Sequence, residues 1–205
     1  YFWKLQRDKD RFAHCFVRLS VSPLGAAALG GTSFPIDPQA AADKLEMVEA
    51  FRNSMDAVSA RDFVLEFLSA AAISMTHLSS MAGEIVLWSS PEFGFVALDD
   101  AFCTGSSIMP QKRNPDIAEL IHGKAGRVFG RLGGMLAVLK GLPLTYNRDL
   151  QEDKEAVFDA VDTLSNSLDL MAMMLESARF DEKRMLQAAQ KSPFAAATEV
   201  ADYLV

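Results

Sequence analysis

Residues 62–88, DFVLEFLSAAAISMTHLSSMAGEIVLW, decide the fold. Within them Val64, Leu68, Ala71, Met75, Leu78, Ala82 and Ile85 recur at alternating steps of four and three. That spacing keeps one stripe of a helix turned toward a neighbour. The small residues Ala70, Ala71, Ala72 and Ser74 allow close helix approach. The stretch predicts a long bundle helix, and three other segments carry similar stripes. Residues 1–20 set Phe2, Leu5, Phe12, Phe16 and Leu19 against Lys4, Arg7, Asp8 and Arg11. Residues 115–140 place Leu120, Ile121, Val128, Leu132, Met135, Leu136 and Leu139 on an inner face, with Gly141 and Pro143 as the stop. Residues 150–177 repeat the pattern through Val157, Val161, Leu164, Leu168, Met171 and Leu175.

Between these segments the signals are local. Ser22-Pro23-Leu24-Gly25 breaks the first helix, and Asp37-Pro38 offers a cap and a first-turn proline for a shorter helix toward Met55. Residues 89–101 read as irregular, with a brief alternation over 93–98, and Asp181 caps one more helix. The expected class is all-α: an elongated helical bundle whose seams also pack against neighbouring chains. No internal repeat points to a solenoid.

Composition narrows the function classes. Lys plus Arg number 20 against 27 Asp plus Glu, a net charge of −7 with no basic run, which argues against nucleic-acid binding. No uninterrupted apolar run reaches the roughly 18 residues that span a bilayer, and no secretory signal is present. Cys15 and Cys103 have no metal or redox spacing and read as small thiols in a reducing cytoplasm. His14, His77 and His122 lie in helical patterns without an i,i+4 ligand partner, so neither a metal site nor a cofactor is expected. Tyr1 stands inside a charged amphipathic pattern, and the chain reads as an internal piece of a longer protein.

Two stretches carry chemistry. The first is Thr104-Gly105-Ser106-Ser107-Ile108-Met109-Pro110-Gln111-Lys112-Arg113-Asn114-Pro115-Asp116. Asn114 reads as an N-cap, Pro115 as the first helical position and Asp116 as a complement to the positive helix end. Hydroxyls, backbone N–H groups and Lys112 beside a helix start suit an anion. Ser106 requires activation by nearby positive charge or a partner base, and Glu119 could orient a histidine from elsewhere. An ordinary polar loop fits the same residues. The second stretch is Leu144-Thr145-Tyr146-Asn147-Arg148-Asp149-Leu150-Gln151-Glu152-Asp153-Lys154. Here Tyr146, Gln151 and Lys154 at a helix start suit a carboxylate, with a solvated charged turn as the alternative.

The first stretch resembles the fingerprint loop of the aspartase/fumarase superfamily, homotetrameric lyases that release fumarate. Met109-Pro110-Gln111-Lys112, the stretch Leu142-Pro143-Leu144 onward to Glu155, Asn53-Ser54-Met55-Asp56-Ala57-Val58-Ser59 and Phe34-Pro35-Ile36-Asp37 resemble the argininosuccinate lyases within it. The resemblance implies the fold of that superfamily, incomplete here at both ends. Residues 1–178 would form a central helical-bundle domain and 179–205 the beginning of a C-terminal helical domain. It implies elimination of fumarate from argininosuccinate, a small-molecule substrate, by a cytoplasmic homotetramer with no cofactor. By the same resemblance Ser106, Ser107, Lys112 and Glu119 are catalytic, and Asn114, Tyr146, Gln151, Lys154 and Arg61 bind substrate. The family's catalytic histidine lies upstream of these residues. Ala60, Ser80, Gly83 and Pro38 depart from the family's usual residues. A structural, crystallin-like relative and a lyase acting on adenylosuccinate stand as alternatives.

Overall fold

A computed structural model describes residues 1–191 and 196–205. Among these residues the chain forms eight α-helices: α1 (Phe2–Leu19), α2 (Pro38–Lys44), α3 (Ser54–Ser59), α4 (Asp62–Ser89), α5 (Asp116–Leu139), α6 (Asp153–Ser177), α7 (Glu182–Gln190) and α8 (Ala197–Tyr203). Six two-residue strands join in three ladders. β1 (Val21–Ser22) runs parallel to β2 (Glu49–Ala50), β3 (Val96–Ala97) antiparallel to β6 (Arg179–Phe180), and β4 (Thr104–Gly105) antiparallel to β5 (Arg113–Asn114). The chain divides into two compact units, Tyr1–Ser79 with Gly123–Ser167, and Ser80–His122 with Leu168–Val205.

The seam read from residues 62–88 is buried along its whole length. Val64, Leu68, Ala71, Met75 and Leu78 belong to the core of the first unit, Ala82 and Ile85 to that of the second. By length and composition α4 would also pass for a membrane-crossing helix, yet 44% of its most apolar window is buried inside the protein. Its apolarity serves the core.

In α5 and α6 the expected faces are corrected. Ala118, Ile121, Ala125, Val128 and Met135 are the buried positions of α5, whereas Leu120 and Leu136 are 56% and 52% exposed. In α6 the buried line is Ala156, Ala160, Leu164, Ser167, Met171 and Met174, and Val161 and Leu168 lie outside it. The face is rotated by about one position. Small residues occupy its inner side, and the buried Ser167 hydroxyl donates to the Thr163 carbonyl at 2.6 Å, so a polar side chain can sit there without an orphaned group.

Helix α1 departs further from its pattern. Phe2, Phe16 and Leu19 are exposed, and the one buried side chain of the helix is Asp8. Its carboxylate accepts from Arg11 Nη1 at 2.7 Å and pairs with His77 Nδ1 at 2.7 Å. Charge pairing at Asp8 joins the Phe12–Phe67 ring contact, centroids 5.9 Å apart, in setting which side of α1 turns inward.

The helix begun at Asp37-Pro38 stops at Lys44, well short of Met55. The Asp37 carboxylate accepts from the Gln39 amide at 2.9 Å, as expected of the cap. Glu46 then takes φ +56, its amide donating to the Asp43 carbonyl, while the Met47 amide donates to the Ala42 carbonyl. These paired bonds close a Schellman turn with glutamate where glycine is usual. Glu49–Ala50 continue as strand, and a separate cap, Asn53 Oδ1 accepting from the Asp56 amide at 3.1 Å, starts α3.

In the second unit the alternation over 93–98 becomes β3, with Val96 paired to Phe180. Arg184 Nη2 donates to the Pro91 carbonyl at 2.8 Å, and its guanidinium lies against Gly94, where φ is +57 and a β-carbon would have to displace it. Asp181 caps α7 by accepting from the Arg184 amide at 2.9 Å.

Candidate functional site

In the second unit, the serine-rich stretch forms a hairpin rather than a simple loop running into a helix. Thr104 pairs with Asn114 and Gly105 with Arg113, so Ser106 and Lys112 are the residues that leave the two strands and open the loop. Asn114 is therefore a strand residue and not the helix cap; α5 begins at Asp116, whose carboxylate accepts from the Thr104 hydroxyl. Arg113 pairs with Asp100 at 2.7 Å at the outer edge of the hairpin. Four ties thus fix the base of the loop: two backbone rungs, a carboxylate–hydroxyl bond and an ion pair.

At the mouth of the loop, Ser106 Oγ accepts from the amides of Ile108 at 3.3 Å and Met109 at 3.2 Å. The Lys112 amide closes a turn onto the Met109 carbonyl at 2.9 Å, leaving its ammonium exposed. Ser107 is exposed, and Glu119 stands exposed in the first turn of α5. Two N–H donors aimed at one hydroxyl oxygen favour its anionic form. Ser106, Ser107, Lys112, Asn114 and Glu119 all belong to this second unit.

The other candidates belong to the first unit. Gln151 Nε2 donates to the Tyr146 hydroxyl at 2.8 Å, joining two of the three residues read as a carboxylate cradle. Lys154 lies in the first turn of α6, its Nζ 3.5 Å from Asp153 Oδ1. Arg61 is largely occupied within the protein. Its Nε donates to Asp153 Oδ2 at 2.6 Å, and its Nη1 donates to the carbonyls of Val58 and Ala60 at 3.2 and 2.7 Å. Arg61 and Asp153 line a cleft of about 690 Å³ that also meets Arg18, Ser22, Phe51 and Glu66.

Two residues escaped the sequence reading. Asp153 looks like one of several acids in a solvated helix start, and only its pairing with Arg61, 92 residues away, marks it. Asp8 looks like a surface residue of α1 and is 4% exposed. No local signal marks either one, because each partner lies far off in sequence. Burial pushes the Cys103 thiol up, with Asp100 adding to the effect, and it pushes the Cys15 thiol up beside Glu66. Both stay protonated at neutral pH and are poor nucleophiles.

The sequence pattern of a lyase family matches residues 1–130. The argininosuccinate lyase of Symbiobacterium thermophilum is 58% identical over all 205 residues, and that of Bacillus licheniformis is 55% identical over 204. The chain spans 44% of the length of each. Among solved structures, an EDDS lyase variant with bound fumarate superposes with a TM-score of 0.82 at 30% identity, covering 89% of this chain and 36% of that one. A class II fumarase from Schistosoma mansoni gives a TM-score of 0.79 at 16% identity over 90% of this chain and 44% of its own. That second likeness speaks for the fold alone. The all-α fold expected from the helical seams is the fold of these proteins.

Proposed function

We propose, from the premise that this chain belongs to the lyase family, that it supplies part of the active site of an argininosuccinate lyase, which splits argininosuccinate into arginine and fumarate. What carries this reading is the 58% identity to such an enzyme along all 205 residues. The hydrogen bonds to Ser106 in the hairpin support the role given to that residue.

The reaction begins with removal of a proton beside a carboxylate. The carbanion delocalises into that carboxylate as a doubly charged aci-form, and the guanidinium nitrogen then leaves as it takes a proton. Ser106 is one member of the proton-transfer pair. The amides of Ile108 and Met109 stabilise charge on its Oγ. Ser107 supports it as the neighbouring hydroxyl. Lys112 and Asn114 hold the carboxylates on the fumarate side, the ammonium by its charge and the amide by hydrogen bonds, where charge builds up most. Glu119 orients a histidine supplied from outside these residues, fixing its tautomer. Tyr146, Gln151 and Lys154 hold a carboxylate of the substrate, with Arg61 nearby. No cofactor takes part in this scheme.

We read the assembly as a cytoplasmic homotetramer. Phe16, Leu19, Phe158, Val161, Leu168, Leu120 and Leu136 are exposed along helices α1, α5 and α6, more apolar surface than a lone chain leaves bare. Residues 1–178 act as the central bundle domain and 179–205 as the beginning of a C-terminal helical domain.

The test is turnover by the full-length protein that carries this chain. Ser106→Ala is expected to lower fumarate release from argininosuccinate by about 10²–10⁴-fold. Turnover that survives the substitution intact would remove Ser106 from the mechanism. Cleavage of adenylosuccinate in place of argininosuccinate would reassign the substrate.

A further inference from the structure

Asp153 stands at the first position of α6, where a carboxylate complements the positive end of a 25-residue helix. Its two oxygens have unequal surroundings. Oδ2 accepts from Arg61 Nε at 2.6 Å, a short charge-assisted bond between side chains that are 12% and 16% exposed. Oδ1 is buried and accepts no hydrogen bond. A carboxylate oxygen shut away from water without a donor is costly, and it calls for a partner.

A second cation, Lys154, places its ammonium 3.5 Å from Oδ1. Adjacent helix residues ordinarily do not face each other. Lys154 nevertheless folds back toward its neighbour, although its own side chain is 67% exposed and could extend into water. Arg61 uses Nε on Oδ2 and Nη1 on the carbonyls of Val58 and Ala60, and donates no hydrogen bond to Oδ1. That arrangement fixes the Asp153 carboxylate in place and leaves one oxygen free to act on a mobile cation. The next residue cluster along the chain, Tyr146 with Gln151, is itself tied by a 2.8 Å bond.

We infer that Asp153 is a positioning residue: anchored by Arg61 through Oδ2, it uses Oδ1 to hold the Lys154 ammonium near the start of α6, ready for a carboxylate of the substrate. The inference rests on the proposed lyase function and adds a residue to it. Asp153 touches no reacting atom in this account and acts only through Lys154. Removing its charge while keeping its shape puts an amide N–H or a neutral oxygen where the ammonium had its counter-charge. Lys154 then loses its preferred position, and substrate binding weakens more than the chemical step does.

The experiment is a double-substitution cycle in the full-length protein, with Asp153→Asn, Lys154→Met and the pair, read as KM and kcat for argininosuccinate. Asp153→Asn is expected to raise KM about tenfold, with a smaller effect on kcat. In the Lys154→Met background the same change is expected to add nothing to KM, because the residue it acts through is gone. A purely structural carboxylate would give effects on KM that multiply, and that result overturns the inference. Should the Asn protein not fold, Asp153→Glu serves in the same cycle: an effect on KM that persists undiminished without Lys154 likewise overturns it. The two readings fail separately. A wild-type protein that neither binds nor cleaves argininosuccinate removes both, whereas active protein with multiplying effects removes the positioning role alone.

Discussion

Asp8 and His77 are joined by a 2.7 Å bond between a carboxylate that is 6% exposed and an imidazole that is 15% exposed, 69 residues apart in sequence. An ionised carboxylate only accepts, so His77 Nδ1 carries the proton in this pair. Asp8 also holds Arg11 at 2.7 Å. The pairing ties α1 to α4 within the first unit, beside the contact of the Phe12 and Phe67 rings, whose centroids are 5.9 Å apart.

Asp8→Ala leaves the His77 donor and the Arg11 guanidinium without their acceptor. The expected loss of stability is about 3 kcal/mol, in the range for breaking one side of a buried pair. Chemical denaturation of wild type and variant measures it. A midpoint shift no larger than that of an ordinary surface substitution would mean that the pair contributes nothing to holding α1.

Glu46 holds a left-handed conformation at the end of α2 that costs a residue with a β-carbon about 1 kcal/mol. Its side chain is exposed. Glu46→Gly is therefore expected to stabilise the protein by about 0.5–1 kcal/mol, even though glycine loosens the unfolded chain. Thermal melting checks this, and Glu46→Ala, which keeps the strain, should give no such gain.

Asp159 accepts from both Arg127 and Arg131. The hydrogen bond from Arg127, opposed by burial and reinforced by Arg131, holds its carboxyl below the usual carboxylate range. A carboxyl whose folded value is depressed stabilises the fold at pH above its unfolded value, near 4, and the gain disappears as pH falls through the folded value. The melting temperature of Asp159→Asn should thus lie below wild type at neutral pH, with the gap closing as the pH drops beneath about 4. A gap that is constant down to strong acid would assign the effect to something other than the charge.

The long helices were legible because their cause is periodic and local. Alternating steps of four and three from Val64 to Ile85 leave few other ways to bury those side chains, and every one of the seven is buried. Caps at Asp37 and Asp181 were legible for the same reason, since the hydrogen bond spans two or three residues. The family resemblance read from the Ser106 and Tyr146–Lys154 stretches is borne out by the lyase match over residues 1–130 and by the 58% identity to an argininosuccinate lyase along all 205 residues. The stop of α2 was hidden because no glycine marks it. The turn of α6 by one position was hidden because alanine and hydroxyl side chains, weak as apolar signals, are the ones that let helices come close.

The sequence by itself determined which segments are helical and which residue types gather in the Ser106 and Tyr146 stretches, because backbone propensity, capping and apolar spacing act over a few residues. Only the tertiary structure decided that Gly105 pairs with Arg113 in a hairpin, that Asp8 rather than a phenylalanine is the buried side chain of α1, and that Asp153 is held by Arg61. These outcomes join residues far apart in the chain, or compare the burial of one face with another. A charge in a short segment cannot show whether its partner will arrive to compensate its removal from water.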